Sequence, residues 1–503
     1  MRLLKFCLIV ASVLLTSSFK GCEALFGVEV TPNIPEATII TNACAKLVTV
    51  SQQIINAVSN IRDLSYATRQ LQNGATALVT SVPQTYTSLI AIGDALSTAT
   101  NANSGNLTVL FENLQAPLTA FGDASIETRF GVWLRQLDPS TLPDFSNLTL
   151  TLAAMGTFYR DVLAPAVKQF SATRISQATF YNAVSKDQIN TFAQGVAGMA
   201  RYQETVVLPF ITSTVSGFRV VSEKQTQFLS STDQAFQSAD GTLTSLYTRL
   251  NDLGKTFHSA SVDMVSTIGS VANQFTRRLS EFTDLYLGGS AADYTKGVMY
   301  EDYQRNVTEQ TRKVELRIEL ARNDATDSPL TSLGTALQIG SSAVTQSLAI
   351  LLQRSTDSAK VSCIGQALNR FTNDYSNLLR NAFPGCVSSS EYDHSAPSNA
   401  ATATVKDVQN DVLQYFQQLN NAISGLSNSS PASARLQADR YLTAYFSRTF
   451  GIMSTILQQL VNMSTELDVG YDLLIGRSRY CLAVNVAVAD RMSVDLATAV
   501  NAC

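Results

Sequence analysis

The stretch that decides the fold covers residues 218–285 and reads FRVVSEKQTQFLSSTDQAFQSADGTLTSLYTRLNDLGKTFHSASVDMVSTIGSVANQFTRRLSEFTDL. Apolar side chains recur along it in steps of three and four, as in Phe218, Val221 and Phe228, or Met264 and Ile268. This period places them on one stripe of a helix. The stretch contains no proline, so it predicts one long helix, or two nearly end to end, of roughly 100 Å at 1.5 Å per residue.

The stripe needs partner helices, and the sequence supplies one directly after it. Gly288-Gly289 interrupts the pattern, and residues 298–321 then resume the same period. This arrangement predicts an antiparallel helical hairpin that residues 323–329 close. The pattern is typical of coiled-coil packing, but polar residues and alanines thin the stripe, so we expect it to pack against helices of the same chain. Kinks are expected at Gly241, Gly254 and Gly269, since each glycine costs about 1 kcal/mol relative to alanine.

The rest of the chain also shows helical periodicity. One pattern covers residues 40–71 and is expected to end at Asn73-Gly74; another follows Pro83. A third covers residues 148–208, with an interruption at Pro165 and a boundary or kink at Pro209. No alternating strand pattern of useful length is present. We therefore predict an all-α fold: an elongated helical bundle with a long helical hairpin and a C-terminal, disulfide-stapled four-helix unit.

The first 24 residues are typical of a secretory signal peptide. Arg2 and Lys5 precede an apolar run at residues 6–15, which is too short to span a bilayer. No later run reaches spanning length, so we expect a secreted, extracellular chain with no membrane span. In an exported chain the Asn-x-Ser/Thr sequons become candidate glycosylation sites. They begin at Asn106, Asn147, Asn306, Asn428 and Asn462.

Composition limits the function classes. The formal charge is −4, charged residues make up 15% of the chain, and no basic block is present, which argues against nucleic acid and anionic membranes as partners. A chain of 503 residues is too long for one core. We predict the signal peptide at 1–24, an N-terminal helical region at 25–210, the long hairpin at 211–328 and a cysteine-framed helical domain at 329–503.

Two pairs of cysteines bracket helical patterns of nearly equal length. Cys363 and Cys386 enclose one, which is expected to end at Pro384-Gly385 just before Cys386, and Cys481 and Cys503 enclose the other. An unbroken helix would hold Cys481 and Cys503 about 33 Å apart, whereas a disulfide needs Cα atoms within about 7 Å. The two helices are therefore expected to lie side by side, stapled at both ends.

The direction of the two helices decides which cysteines pair. Helical patterns at 405–426 and 432–467, with a turn at 427–431, lie between them. Four helices in up-down order would make the first and last antiparallel, which predicts Cys363–Cys503 and Cys386–Cys481. A parallel arrangement would give Cys363–Cys481 and Cys386–Cys503 instead.

Cys44 has no partner in this frame. It lies on an apolar stripe, which is typical of a buried free thiol, and intermolecular pairing is the alternative. Signal cleavage upstream of Cys22 would permit a Cys22–Cys44 bridge.

The cysteine frame at residues 362–503 resembles the helical four-cysteine domain of secreted insect proteins that is named for the tsetse EP protein. The matching residues are Cys363, Tyr375 and Cys386, then Tyr480-Cys481 through Ala489 and Leu496 to Cys503. The resemblance implies a secreted helical protein of gut or body fluid, and it brings no catalytic residues with it.

The sequence offers few candidates for chemistry. Neither histidine has a metal-ligand spacing: His258 is expected to be partly buried on the long helix, and His394 to lie in a solvated loop with Glu391 and Asp393. Gly254-Lys255-Thr256 imitates a phosphate loop but lacks its first glycine and its strand. We predict no catalytic, metal or cofactor-binding residues.

These observations predict a non-enzymatic, secreted helical protein that binds a partner or forms a scaffold in an extracellular fluid or gut lumen. The alternative is an amphipathic carrier of lipid or another small ligand. A membrane-active helical protein would need a long apolar hairpin, which the sequence lacks. The expected partner is a protein or glycan ligand, and the sequence leaves self-association open; no nucleic acid and no cofactor are expected.

Overall fold

The computed structural model describes residues 24–66, 69–102, 107–122, 142–170, 174–286, 298–388, 391–428 and 431–503. Residues 1–23 of the predicted signal peptide, the sequon residue Asn106 and the Gly288-Gly289 break lie outside these ranges. The all-α class is confirmed, because helices dominate the described chain.

The helices are numbered here in chain order. They are α1 Pro35–Ser59, α2 Arg69–Asn101, α3 Leu107–Gly122, α4 Ser146–Phe158, α5 Ala164–Lys168, α6 Gln177–Ala183, α7 Lys186–Tyr202, α8 Leu208–Tyr286, α9 Val298–Gln353, α10 Ser358–Asn377, α11 Phe383–Ser388, α12 Glu391–Ser427 and α13 Pro431–Ala502.

A small sheet that the sequence did not predict lies near the N-terminus. Strand β1 (Ala24–Leu25) pairs antiparallel with β2 (Val28–Thr31), and β2 pairs parallel with β3 (Arg174–Ser176). Phe26 and Gly27 form the turn between β1 and β2, both with positive φ (52° and 84°), the conformation of a tight hairpin turn. Strands of two to four residues are too short to show an alternating pattern.

The chain divides into two compact units. Unit 1 contains the residues up to 227 together with 344–369 and 497–503; unit 2 contains 228–343 and 370–496. This division differs from the predicted regions 25–210, 211–328 and 329–503. Helices α8, α9, α10 and α13 each contribute residues to both units, so no consecutive division of the chain can reproduce them.

In unit 1, α1 packs against α2 and α7, and α3 packs against α2. The predicted end of the first helix at Asn73-Gly74 is wrong, because α1 already ends at Ser59 and both residues lie inside α2. Ala75 and Leu78 are buried in the next turn. Their burial outweighs the cost of about 1 kcal/mol that the glycine imposes.

Three prolines that the sequence suggested as breaks or ends of helices instead follow π turns. Proline lacks an N–H and clashes with the carbonyl four residues before it, and a wider turn relieves both problems. The helical path therefore continues past each of them. The π turns are Tyr159–Leu163 before Pro165, Gln203–Val207 before Pro209, and Leu378–Ala382 before Pro384.

The predicted long helix is present as α8, which includes Gly241, Gly254 and Gly269 without a break. Within unit 2, α9 runs back beside it, as predicted. A Cβ atom added to Gly254 would lie 3.6 Å from Cγ2 of Ile318, and one added to Gly269 would lie 3.4 Å from Nε2 of Gln304. These are ordinary van der Waals distances, so the packing of α9 would accept alanine as well as glycine at both positions.

The predicted end of the hairpin at residues 323–329 is wrong, because α9 continues through Pro329 to Gln353. Ala325, Leu333 and Ala336 extend its buried stripe past the proline. Burial of this stripe offsets the cost of about 3 kcal/mol that proline imposes on a helix interior.

The core of unit 2 consists of four helical segments. Their buried apolar residues form one cluster drawn from residues 257–282 of α8, 303–321 of α9, 401–426 of α12 and 453–471 of α13. Phe275 and Phe416 are in contact within it, with ring centroids 5.8 Å apart. This four-helix core is built from two hairpins, and it differs from the predicted set of helices at 363–383, 405–426, 432–467 and 481–503.

Candidate functional site

An open pocket lies in unit 1 between α4 and α7. Helix α7 begins after Ser185, whose Oγ accepts a hydrogen bond from the backbone N–H of Gln188 at 3.2 Å. Helix α4 starts at Ser146, whose N–H donates to the Asp144 carboxylate at 3.0 Å. The Ser185 cap sets where α7 begins, the Asp144 carboxylate pairs the first N–H of α4, and α4 and α7 pack against each other.

The floor of the pocket is apolar. Met155 and Phe192 are buried, and the Phe158 and Phe192 rings lie 4.8 Å apart between centroids. The pocket has a volume of about 460 Å³. It is lined by Thr151, Ala154, Met155, Phe158, Asp187, Gln188, Thr191, Phe192 and Gly195.

Gly195 keeps part of this space open. A Cβ atom added there would have Cγ2 of Thr151, at 4.0 Å, as its nearest neighbour. A larger side chain at this position would therefore extend into the pocket without displacing backbone. Gly198, one turn later on the same helix, has nothing within 4 Å of an added Cβ atom.

Polar groups lie at the mouth of the pocket. Asp187, Gln188 and Thr191 are exposed, and Asp187 is the one charged residue among the described residues of the lining. Its carboxylate lies in the first turn of α7, where the helix dipole favours negative charge. The arrangement can bind an apolar body and place a polar or cationic group of the ligand at the rim.

Sequence reasoning missed this pocket. It recognised residues 148–208 as helical, but a pocket depends on which faces of two helices meet and on what fills the space between them. One feature of the sequence could have indicated the pocket. Gly195, three residues after Phe192, leaves a gap on a half-buried face of α7.

The two predicted cysteine pairs lie at disulfide distance. In unit 1, Cys363 and Cys503 have Cα atoms 5.8 Å apart; in unit 2, Cys386 and Cys481 have Cα atoms 5.6 Å apart. Asn485 Nδ2 donates to the carbonyl of Ala382 at 2.9 Å beside the second pair. The helices around both pairs are antiparallel, as the sequence analysis predicts.

The path of the chain between the cysteines differs from the predicted one. Residues 405–426 lie on α12, and residues 432–467 belong to α13, the same helix that carries Cys481 and Cys503. Contacts within unit 2 pair Cys386 with Cys481, then Ser398 with Tyr471, then Tyr415 with Thr449. Residue numbers rise on one side and fall on the other, so a single reversal between α12 and α13 replaces the three that the sequence predicts.

Other predicted ends near this frame need correction. Pro384-Gly385 does not end a helix before Cys386, because α11 extends to Ser388. Glu391, Asp393 and His394 lie at the start of α12 and not in a loop. Their side chains lie outside the described part of the structure.

Cys44 is a buried free cysteine, as the first of its two interpretations predicts. Burial, together with the negative charge of Asp94, raises the pKa of its thiol to about 12. The thiolate is the nucleophilic form, so this environment makes Cys44 unreactive. Cys22, its alternative intramolecular partner, lies outside the described residues.

His258 is exposed on α8, and the prediction that it is partly buried is wrong. Its Nδ1 lies 2.9 Å from Oε1 of Glu315 on α9. Phe257 next to it is fully buried, and one residue along a helix turns the side chain by about 100°. No group of three or more His, Cys, Asp or Glu side chains in the described ranges could hold a metal ion.

The five sequon asparagines differ in whether the structure describes and exposes their side chains. Asn306 and Asn462 are exposed on helices, and Asn428 is exposed just after α12 ends. Asn147 lies in α4 with its side chain undescribed, and Asn106 is outside the described ranges. Glycosylation stays a prediction at all five.

Contrary to the expectation that no later run reaches spanning length, two helical runs in the described ranges are long and apolar enough to cross a membrane, judged by length and composition only. They are Lys186–Phe282 and Asp302–Gln353, each with a mean hydropathy of 1.3 in its best window. In the first, 50% of that window is buried inside the protein, and in the second 39%. Core helices of soluble proteins meet the same criterion, so the finding is weak evidence for a span.

No family model and no curated protein matches the chain.

Proposed function

We propose that the chain is an extracellular, non-enzymatic binding protein whose unit 1 holds a small apolar molecule in the pocket between α4 and α7. The observation that carries the proposal is the floor of Met155, Phe158 and Phe192 beneath an open, polar mouth. Its volume of about 460 Å³ lies within the range of roughly 300–1,000 Å³ typical of ligand pockets. This proposal joins the binding protein that the sequence predicts with its small-ligand alternative.

The charge at the mouth indicates the ligand class. A ligand amine would lie near the exposed Asp187 carboxylate, whereas a ligand carboxylate would be repelled by it. Exposed ion pairs contribute about 0.2–1 kcal/mol, so the preference is expected to be a few-fold. The apolar floor supplies most of the affinity.

Extracellular location is supported by two features. Residues 1–24 have the pattern of a signal peptide, and two cysteine pairs lie at disulfide distance. The resemblance of residues 362–503 to a secreted insect domain agrees with the same location.

Isothermal titration calorimetry with three ten-carbon probes tests the function. Decylamine, decanol and decanoate share one apolar tail and differ only in the head group. We expect one molecule bound per chain, with affinity falling in that order because of Asp187. Replacement of Asp187 by asparagine should bring the three affinities together.

Gly195→Leu is the blocking variant, because its side chain enters the pocket and leucine is a better helix former than glycine. Gly198→Leu is the matched control: it gains the same helix propensity on the same helix, outside the pocket lining. We expect Gly195→Leu to abolish binding and Gly198→Leu to retain it. Absence of binding in the wild type, or equal binding by both variants, would refute the proposal.

A scaffold is the second candidate function. It is favoured by the two helical hairpins of unit 2, whose long helices pair side by side over many turns. A large frictional ratio in sedimentation, with no apolar molecule bound to protein from the native source, would favour the scaffold over the binding protein.

A further inference from the structure

One face of α13 in unit 2 carries large apolar side chains in contact with solvent. Val469, Leu473 and Tyr480 are 56%, 70% and 74% exposed, and Val484 and Val488 are also exposed. They recur in steps of four and seven residues, so they lie on one side of the helix, opposite the side buried in the protein. Five such residues on one helix face form more than the scattered apolar surface of an ordinary monomer.

Charged residues bound this face at both ends. Glu466 lies one turn before Val469, and Arg491 lies one turn after Val488, both exposed and on the same side of the helix. Neither forms a salt bridge within the part of the chain that the structure describes. Arg477 lies in the middle of the face, next to Tyr480 in the helical spacing. We call Glu466, Val469, Leu473, Arg477, Tyr480, Val484, Val488 and Arg491 the α13 stripe.

The spacing of the α13 stripe is palindromic. From Glu466 to Arg491 the steps are three, four, four, three, four, four and three residues, the same from either end. The charges at the two ends are complementary, since Glu466 is acidic and Arg491 is basic. A second copy laid antiparallel, with a two-fold axis between Ser478 and Arg479, brings together complementary residues at every step. The facing pairs are Glu466 with Arg491, Val469 with Val488, Leu473 with Val484, and Arg477 with Tyr480.

We propose that the α13 stripe is a self-association surface that joins two copies of this chain antiparallel about a two-fold axis. Such an interface is isologous, so each facing pair occurs twice. The two ends carry ion pairs, the interior carries aliphatic contacts, and the centre carries two Arg477–Tyr480 cation–π contacts. A parallel arrangement is disfavoured, because it would place Glu466 against Glu466 and Arg491 against Arg491. The proposal does not depend on the pocket of unit 1.

Charge reversal at the ends of the stripe tests the proposal without disturbing the fold, because both residues are exposed. Sedimentation equilibrium of the full, enzymatically deglycosylated chain between 1 and 100 μM measures the dimer; deglycosylation removes any sugar from Asn462, one turn before the stripe. Glu466→Arg and Arg491→Glu should each raise the dimer dissociation constant about tenfold at low salt, since each changes two symmetry-related ion pairs. The double variant Glu466→Arg/Arg491→Glu should restore the wild-type value.

Mixing the two single variants gives a sharper result. In an antiparallel heterodimer the introduced arginine faces the introduced glutamate, and the remaining Arg491 faces the remaining Glu466. We therefore expect the mixture to associate more tightly than either variant alone. Leu473→Asp should abolish the dimer, whereas the control Leu316→Asp, at a side chain on α9 that is 55% exposed, should not affect it. A wild type that stays monomeric at 100 μM, or a dimer insensitive to these changes in the stripe, would overturn the proposal.

Discussion

Removal of one cysteine pair is a perturbation whose magnitude follows directly from the structure. Cys363 and Cys503 are 140 residues apart in sequence, and Cys386 and Cys481, 95 residues apart, lie inside that interval. With the inner bond formed, the outer bond closes only about 45 further residues of loop in the unfolded chain. In the chain-entropy model such a loop corresponds to about 4 kcal/mol at 25 °C. We expect C363A/C503A to lower the free energy of unfolding of unit 1 by up to that amount.

Urea unfolding followed by circular dichroism measures the change, with the oxidised wild type as reference. Hydrogen exchange over residues 497–503 reports the free energy of local opening of this segment. The variant should lower it by less than the global unfolding free energy, because buried Val500 also anchors the segment. Wild type treated with dithiothreitol should lose at least as much stability as the variant, because reductant opens both bonds. A loss below about 1 kcal/mol, or a wild type insensitive to reductant, would refute the reasoning, as would a peptide linking Cys363 to Cys386.

Three further predictions concern unit 1. Tyr181→Phe removes the hydroxyl that donates to buried Glu36 at 2.8 Å and should lower the unfolding free energy by about 1.5–3 kcal/mol in urea; no change would contradict the role of this bond. Gly198→Ala should raise the unfolding free energy by up to about 1 kcal/mol. A lower unfolding free energy would show that the space around Gly198 is not open. Burial raises the pKa of Cys44 to about 12, so only the unfolded thiol ionises from about pH 9 upward. Stability should therefore fall between pH 9 and 12, and fall less in Cys44→Ala; an equal fall would contradict this.

The long hairpin could be predicted because its signal is summed over many positions. A stripe that holds from Phe218 to Phe282 survives three glycines, since each costs little compared with the burial of so many side chains. Its ends were harder to predict, because Pro329 costs more than a glycine and still lies inside α9. Burial of the residues around that proline, which depends on neighbouring helices, decides where the helix ends.

The predicted cysteine pairs lie at disulfide distance even though the chain takes a different path between them. Antiparallel packing requires an odd number of reversals between Cys386 and Cys481, and one reversal satisfies this as well as three do. Helical periodicity does not show whether a break, such as the one between α11 and α12, turns the chain back. The pairing could therefore be predicted from an odd number of reversals alone. The actual number of reversals is set by tertiary contacts, which the sequence pattern does not show.

Features that depend on two distant elements could not be read from the sequence. The sheet joins β2 to β3, more than 140 residues later, through strands too short to show a period. The pocket requires that Gly195 face Thr151, and nothing in either local sequence encodes that contact. The exposure of His258 was predictable, since it follows buried Phe257 by a single residue on the helix.

Methionine methyl NMR tests the central claim, that unit 1 binds a small apolar molecule in the pocket between α4 and α7. Met155 lies in the floor of the pocket, whereas Met264 is fully buried in the core of unit 2 and serves as an internal reference. Titration of the methyl-labelled protein with decylamine should shift the Met155 resonance in a saturable way and leave Met264 unchanged. No shift at Met155, or a shift at Met264 alone, would contradict the claim.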